Sequence, residues 1–268
     1  MTALLLVVTL AAVACVLAWF ASLVTGDTSW VDRSWSILPV VYVWVFAVAA
    51  RLTDVTLDVA ASVVTLWGVR LTYNFARKGG YRGVEDYRWA VLRARMSRWQ
   101  FQLFNLFFIV LYQNFILVLM ALPALTLYEH RANCHFGPGL LALSILFVAC
   151  TAAETLADEQ QWHFQRTKAR EVAAGRLPPE NFLTRGLFRY SRHPAYFFEL
   201  AQWWLFFLMG AVAANSLAQW TIAGPVLLTL LFVGSTRFTE EITVSRYPEY
   251  RSYQRTTSAV IPWRVRRP

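Results

Sequence analysis

TALLLVVTLAAVACVLAWFASLV, residues 2–24, runs for 23 residues without a charged side chain. As a helix this stretch is about 35 Å long, enough to cross a hydrocarbon core of about 30 Å. It has no basic leader and is longer than the apolar core of a secretory signal, so it reads as a retained membrane span. Working outward, similar stretches recur at about 36–51, 55–76, 101–124, 138–157, 195–213 and 219–234. Seven candidate spans result. The second and seventh are the shortest, which leaves six or eight as alternatives. Composition agrees: 57% hydrophobic and only 15% charged residues over 268 positions, with a mean hydropathy of +0.41, is too apolar for an ordinary soluble domain. The expected fold class is all-α, a polytopic membrane protein forming a single integral domain over 1–268.

Basic residues are enriched in short cytoplasmic loops. Of the 25 here, 21 fall in three regions: Arg77 to Arg98, Arg166 to Arg192, and Arg237 to Arg267. The alternate loops hold little beyond Arg51 and Arg131. Seven spans with the N-terminus outside and the C-terminus cytoplasmic place all three regions on one side of the membrane, and the expected location is a bacterial inner membrane. The formal charge of +9 is therefore a topology signal and an attraction to anionic membrane lipids, not a sign of nucleic acid. Cys15, Cys134 and Cys150 lack metal-type or disulfide-framework spacing, so no metal is expected. His130, Cys134 and His135 form at most a weak trio.

Ionisable side chains at the ends of spans mark interhelical contacts or a functional cavity. Arg70, Tyr73, Asn74 and Arg77 follow i, i+3, i+4, i+7 spacing and make a polar stripe, either snorkelling arginines with a bonded Asn or a cavity wall. Glu154, Asp158, Gln161 and Gln165 repeat nearly the same spacing, and two carboxylates one turn apart call for a cationic partner or for solvent. The most informative stretch is RGLFRYSRHPAYFFE, Arg185 to Glu199. Pro194 suits the first turn of a helix, so Tyr190, Ser191, Arg192 and His193 crowd that helix's N-terminus, an anion-binding environment. Glu199 lies about one and a half turns into the span, near the face of Tyr196 and Gln202. After the last span, Arg237, Glu240 and Glu241 precede RYPEYRSYQRTTSAVIPW (Arg246 to Trp263), an amphipathic coda that folds back on the cytoplasmic mouth.

These residues carry a resemblance. Gly186-Leu187-Phe188, Arg192-His193-Pro194, Tyr196 to Glu199, Tyr247-Pro248-x-Tyr250-x-x-Tyr253 and Ile261-Pro262-Trp263 resemble the steroid 5α-reductase C-terminal superfamily. Val31-Asp32 with Trp35, Leu66-Trp67-Gly68 with Arg70-Leu71-Thr72, Glu85-Asp86-Tyr87-Arg88 and Glu154 through Trp162 are similar to a bacterial branch of it without assigned function. The resemblance covers nearly the whole chain and implies an enzyme whose 150–268 part binds a cofactor. Two chemistries belong to the superfamily. Reductases use NADPH to saturate a carbon–carbon double bond in a lipid or steroid-like substrate. Isoprenylcysteine carboxyl methyltransferases use S-adenosylmethionine.

For a reductase, the resemblance implies cofactor contacts at Asp158, Tyr190, Arg192, His193, Tyr196, Glu199, Arg237, Glu241 and Tyr247. It implies Tyr73 and Glu199 as catalytic groups, with Tyr73 the acid. Arg70, Asn74, Tyr112 and Gln113 would line the cavity for a lipophilic substrate arriving from the bilayer. Two departures weaken a steroid assignment: Ala195 stands where an Asn is usual, and Ser36-Ile37-Leu38-Pro39 where Gln-Glu precedes Leu-Pro. Glu240-Glu241 is a pair common in the methyltransferases and keeps that alternative open.

Overall fold

The computed structural model describes residues 2–178 and 180–263. Arg264, Arg266 and Arg267, counted above with the third basic region, lie outside them. The described residues form helices α1 (Ala3–Thr25), α2 (Trp30–Trp35), α3 (Leu38–Ala49), α4 (Val55–Arg77), α5 (Tyr87–Arg95), α6 (Arg98–Phe104), a π-helical segment (Asn105–Tyr112), α7 (Gln113–Ala121), α8 (Pro123–His130), α9 (Pro138–Ala173), α10 (Pro194–Ala213), α11 (Ala223–Arg246) and α12 (Tyr250–Thr256). Taken with their continuations, seven helical stretches are long and apolar enough to cross a membrane. They include Trp30–Ala49, interrupted at Ser36–Ile37, and Arg98–His130, which is restarted at Pro123. This is an all-helical, multi-pass membrane protein.

The chain divides into two compact units, Met1–Val148 with Trp203–Leu228 and Ala149–Gln202 with Thr229–Pro268. In the first, α1 shows what a lipid solvent permits. Leu5, Val16 and Phe20 are exposed, while its buried positions are Val7, Ala11, Ala18 and Ser22, spaced 4, 7 and 4. That stripe of small residues lets neighbouring backbones come close, as helix packing in membranes requires. Gly68 serves the same end on α4: a Cβ there would stand 2.7 Å from the Ser36 carbonyl oxygen and 2.5 Å from Val40. Ser36 and Thr72 hydroxyls meet at 2.6 Å beside it. The core of this unit includes Trp67 and Trp203, whose rings meet edge-on at 4.8 Å.

Polar contacts fix the connection between α4 and α5 to the start of α2. Thr28 donates its N–H and its hydroxyl to Glu85 Oε1 at 2.9 and 2.8 Å, the Asp86 N–H donates to Ser29 Oγ, and the Trp89 indole donates to Asp32 at 3.1 Å. Burial would push the Glu85 carboxyl up, but Arg93 and the Thr28 donors together hold it below the usual carboxylate range. The Val31-Asp32 and Glu85 to Arg88 motifs are thus two sides of one fastening.

In the second unit, α9 continues well past the span expected at 138–157. Its 36 residues make about 54 Å of helix, so its last turns extend beyond the length a bilayer core requires.

Candidate active site

In the second unit the Arg185–Glu199 stretch is held by the coda. Ser191 and Ser258 pair as an isolated parallel bridge. The Arg192 N–H donates to Ser258 O at 2.9 Å, the His193 N–H to Ala259 O at 3.0 Å, and the Trp263 N–H to Tyr190 O at 3.0 Å. Ser191 Oγ adds a 2.7 Å bond to Val260 O. The expected fold-back of residues 246–263 therefore takes the form of a strand-like strap along Tyr190–His193. α12 anchors it: Tyr250 and Tyr253 are buried, both rings pack on Phe182, and the Tyr253 hydroxyl donates to Phe188 O. Burial pushes both phenols well above their ordinary titration range, which keeps them as hydrogen-bond donors.

Arg192 is committed beneath the strap. Its Nε and Nη2 donate to the two oxygens of Glu240 at 2.6 and 2.9 Å, and its Nη1 donates to Gln254 O at 3.1 Å and to Thr257 O. His193 Nε2 meets Glu240 Oε1 at 3.1 Å, and Gln254 donates to Glu240 Oε2 at 2.8 Å. Both side chains of the Arg192–Glu240 pair are 9% exposed. The Arg192 and His193 backbone N–H groups are spent on the strap and their side chains on Glu240, so both residues brace the site. Tyr196 stacks on His193 at 5.3 Å and packs against Phe232.

Deeper along α10, Gln202 is fully buried. It accepts from Thr151 Oγ1 at 2.8 Å and donates to Glu154 Oε2 at 2.7 Å and to Phe198 O at 3.0 Å. Glu154 is 3% and Glu199 4% exposed. The α9 carboxylates were expected to take a cationic partner or solvent; one bond that Glu154 accepts comes from the Gln202 amide. Of the remaining candidates in this unit, Asp158 is half-buried, Tyr190, Arg237 and Glu241 are exposed, and Tyr247 is half-buried with Lys168 Nζ 3.0 Å from its hydroxyl. The pair Glu240-Glu241 is split between a buried brace and an exposed carboxylate.

Arg70, Tyr73, Asn74, Tyr112 and Gln113 belong to the first unit. The expected stripe on α4 is not uniform there. Asn74 is buried and accepts from Arg77 Nε at 3.0 Å, whereas Tyr73 is exposed with the Arg77 guanidinium 5.4 Å above its ring. Sequence reasoning missed the Arg192–Glu240–Gln254 brace, because its members are 48 and 14 residues apart and share no local spacing. It also missed Asn105 and Asn114, buried on the fourth span; the only signal was the presence of amides in an otherwise apolar run.

Comparison with known proteins adds the family. A family described as "Protein of unknown function (DUF1295)" matches residues 18–257. A Schizosaccharomyces pombe protein described as "Uncharacterized protein C594.04c" is 38% identical over 258 residues, covering 91% of this chain and 75% of its own length. No solved structure matches the chain.

Proposed function

The chain belongs to the DUF1295 family, and on that premise we propose that it is a membrane-embedded, NADPH-dependent reductase of a carbon–carbon double bond in a lipid or steroid-like substrate. The observation that carries this reading is Glu199, 4% exposed inside the apolar helix α10. A carboxyl group buried there is costly and marks an interhelical contact or a functional site. The resemblance to the steroid 5α-reductase superfamily gives that site its chemistry.

The residues fit a dinucleotide in part. Glu199 offers an acceptor for ribose hydroxyls or a carboxamide, in the same helix as Gln202, which bonds to Thr151 and Glu154 of α9. Arg237 and Tyr190 are exposed, and Tyr247 half-exposed, for phosphate groups. Arg192 and His193 contribute by holding the strap, so that the start of α10 is rigid when the nucleotide arrives. When bound, NADPH supplies the hydride; a protein acid supplies the accompanying proton, and the saturated product and NADP⁺ result.

The alternative reading, an S-adenosylmethionine-dependent methyltransferase, draws on the Glu240-Glu241 pair, of which Glu240 is bonded to Arg192 and Glu241 is exposed. The same reading places the N-terminus outside and the second unit's basic segments in the cytoplasm, as in a bacterial inner membrane.

The test is cofactor binding by the purified protein in mild detergent. NADPH should raise the melting temperature, and Glu199→Gln should abolish that rise while leaving the ligand-free melting temperature nearly unchanged. A rise with S-adenosylmethionine and none with NADPH would overturn the reading.

A further inference from the structure

The first unit contains buried polar atoms around Gln113, a residue expected above to line the substrate cavity, of which Tyr42, Asn105 and Asn114 have no place in the reductase reading. Tyr42 is 0%, Asn105 1%, Asn114 1% and Gln113 4% exposed. The Tyr42 hydroxyl, both Asn Oδ1 atoms and Gln113 Oε1 are buried without a hydrogen-bond partner. The amide orientations of the asparagines are set by their other ends: Asn105 Nδ2 donates to Ser22 Oγ at 3.0 Å, and Asn114 Nδ2 to Val110 O at 2.8 Å. The unpartnered atoms are therefore carbonyl acceptors plus one phenol. Each such atom costs about 1–3 kcal/mol when nothing answers it, and native folds rarely keep one without a purpose.

Their placement is coherent. Asn105, Ile109, Val110, Gln113 and Asn114 are the buried positions of the π-helical segment and the start of α7. π-Helical turns in a helix are frequent at functional sites. Val110 O also receives the Cys15 thiol at 3.9 Å, and Cys15 lies within electrostatic range of the Tyr42 hydroxyl. Tyr42, Gln113 and Asn114 thus lie where α1, α3 and α7 pack together. Asn105 lies farther along the same buried face. Neither α1, α3, the π-segment nor α7 carries a charged side chain, and fully buried Phe46, Ile109, Ile116 and Leu117 belong to the same elements.

We infer that this cluster is a binding site for a neutral, lipophilic alcohol whose single O–H is shared in a three-centre bond between the amide oxygens of Gln113 and Asn114, and whose oxygen accepts from the Tyr42 hydroxyl. The acceptor-rich lining selects a donor. The absence of charge in these four elements selects against an ammonium or a carboxylate, and the apolar walls take a hydrocarbon body. The site needs no nucleotide, so it stands or falls apart from the NADPH reading.

The experiment measures affinity for purified full-length protein, without any nucleotide, using two alcohols and their methyl ethers: hexadecan-1-ol and cholesterol against hexadecyl methyl ether and cholesteryl methyl ether. At least one alcohol should bind about tenfold more tightly than its ether, the size of one lost hydrogen bond. Tyr42→Phe and Gln113→Leu should each erase that preference while keeping or raising the ligand-free melting temperature, since each removes an unanswered polar atom. Equal binding of alcohol and ether in both pairs would mean that buried water alone answers these groups, and would overturn the proposal. So would an alcohol preference that survives both substitutions. Loss of NADPH binding with the alcohol preference intact would overturn the reductase reading and leave this site standing.

Discussion

At the scale of single residues, the Arg192–Glu240 pair does the most to shape the second unit. Two charges held 2.6 Å apart at 9% exposure stabilise only because the lone pairs and donors left over are also answered, by Gln254, His193 and the carbonyl of Thr257. Removing one partner leaves the other charge buried. Glu240→Ala should therefore cost about 3 kcal/mol, whereas the double substitution Arg192→Met with Glu240→Leu should cost less than the single one. Thermal unfolding of the three proteins in detergent reads the difference, and an unchanged melting temperature for Glu240→Ala would show that the pair holds nothing. Arg192 was legible in the sequence as an important side chain, but its role was not. An Arg beside a helix N-terminus suggests an anion, and only the fold brings in a carboxylate from 48 residues away.

Elements were more legible than their contacts. The apolar runs at 2–24, 55–76 and 195–213 fall within a residue or two of α1, α4 and α10, because hydropathy in a lipid solvent is set by composition alone. α9 runs to Ala173, beyond the expected end at 157, because its polar continuation keeps helical backbone bonds after the hydrophobic requirement ends. The π-segment left no trace in residue spacing: Phe104, Phe108 and Tyr112 stack at 4.9 and 5.4 Å along it, yet their i, i+4 register equally suits an α-helix. Gly68 belongs to this scale because it sets the distance between α3 and α4. Gly68→Ala should lower stability by about 1–3 kcal/mol through forced separation of the two helices. Gly139→Ala, where a Cβ meets nothing within 4 Å, should be neutral or slightly stabilising. Melting temperatures of the pair separate close packing from a general sensitivity to lost glycine.

At the scale of the whole molecule, the proposed topology, in which all seven candidate spans cross, puts the 131–137 loop outside and the segment after α11 in the cytoplasm. Single cysteines placed at Asn133 and at Arg255, in a background without Cys15, Cys134 and Cys150, report this with a membrane-impermeant thiol reagent. With the proposed orientation, intact cells should label position 133 and leave position 255 unlabelled until the membrane is opened; the reverse pattern would invert the topology. The strap also has a consequence for the order of events during biosynthesis. Tyr190–His193 emerge from the ribosome some 65 residues before Ser258–Val260, their hydrogen-bond acceptors, and α10 and α11 lie between. At about 5–20 residues per second, the start of α10 waits roughly 3–13 s for those acceptors. The strap therefore cannot form until nearly the whole chain has been made, so the second unit is completed from its last segment backward.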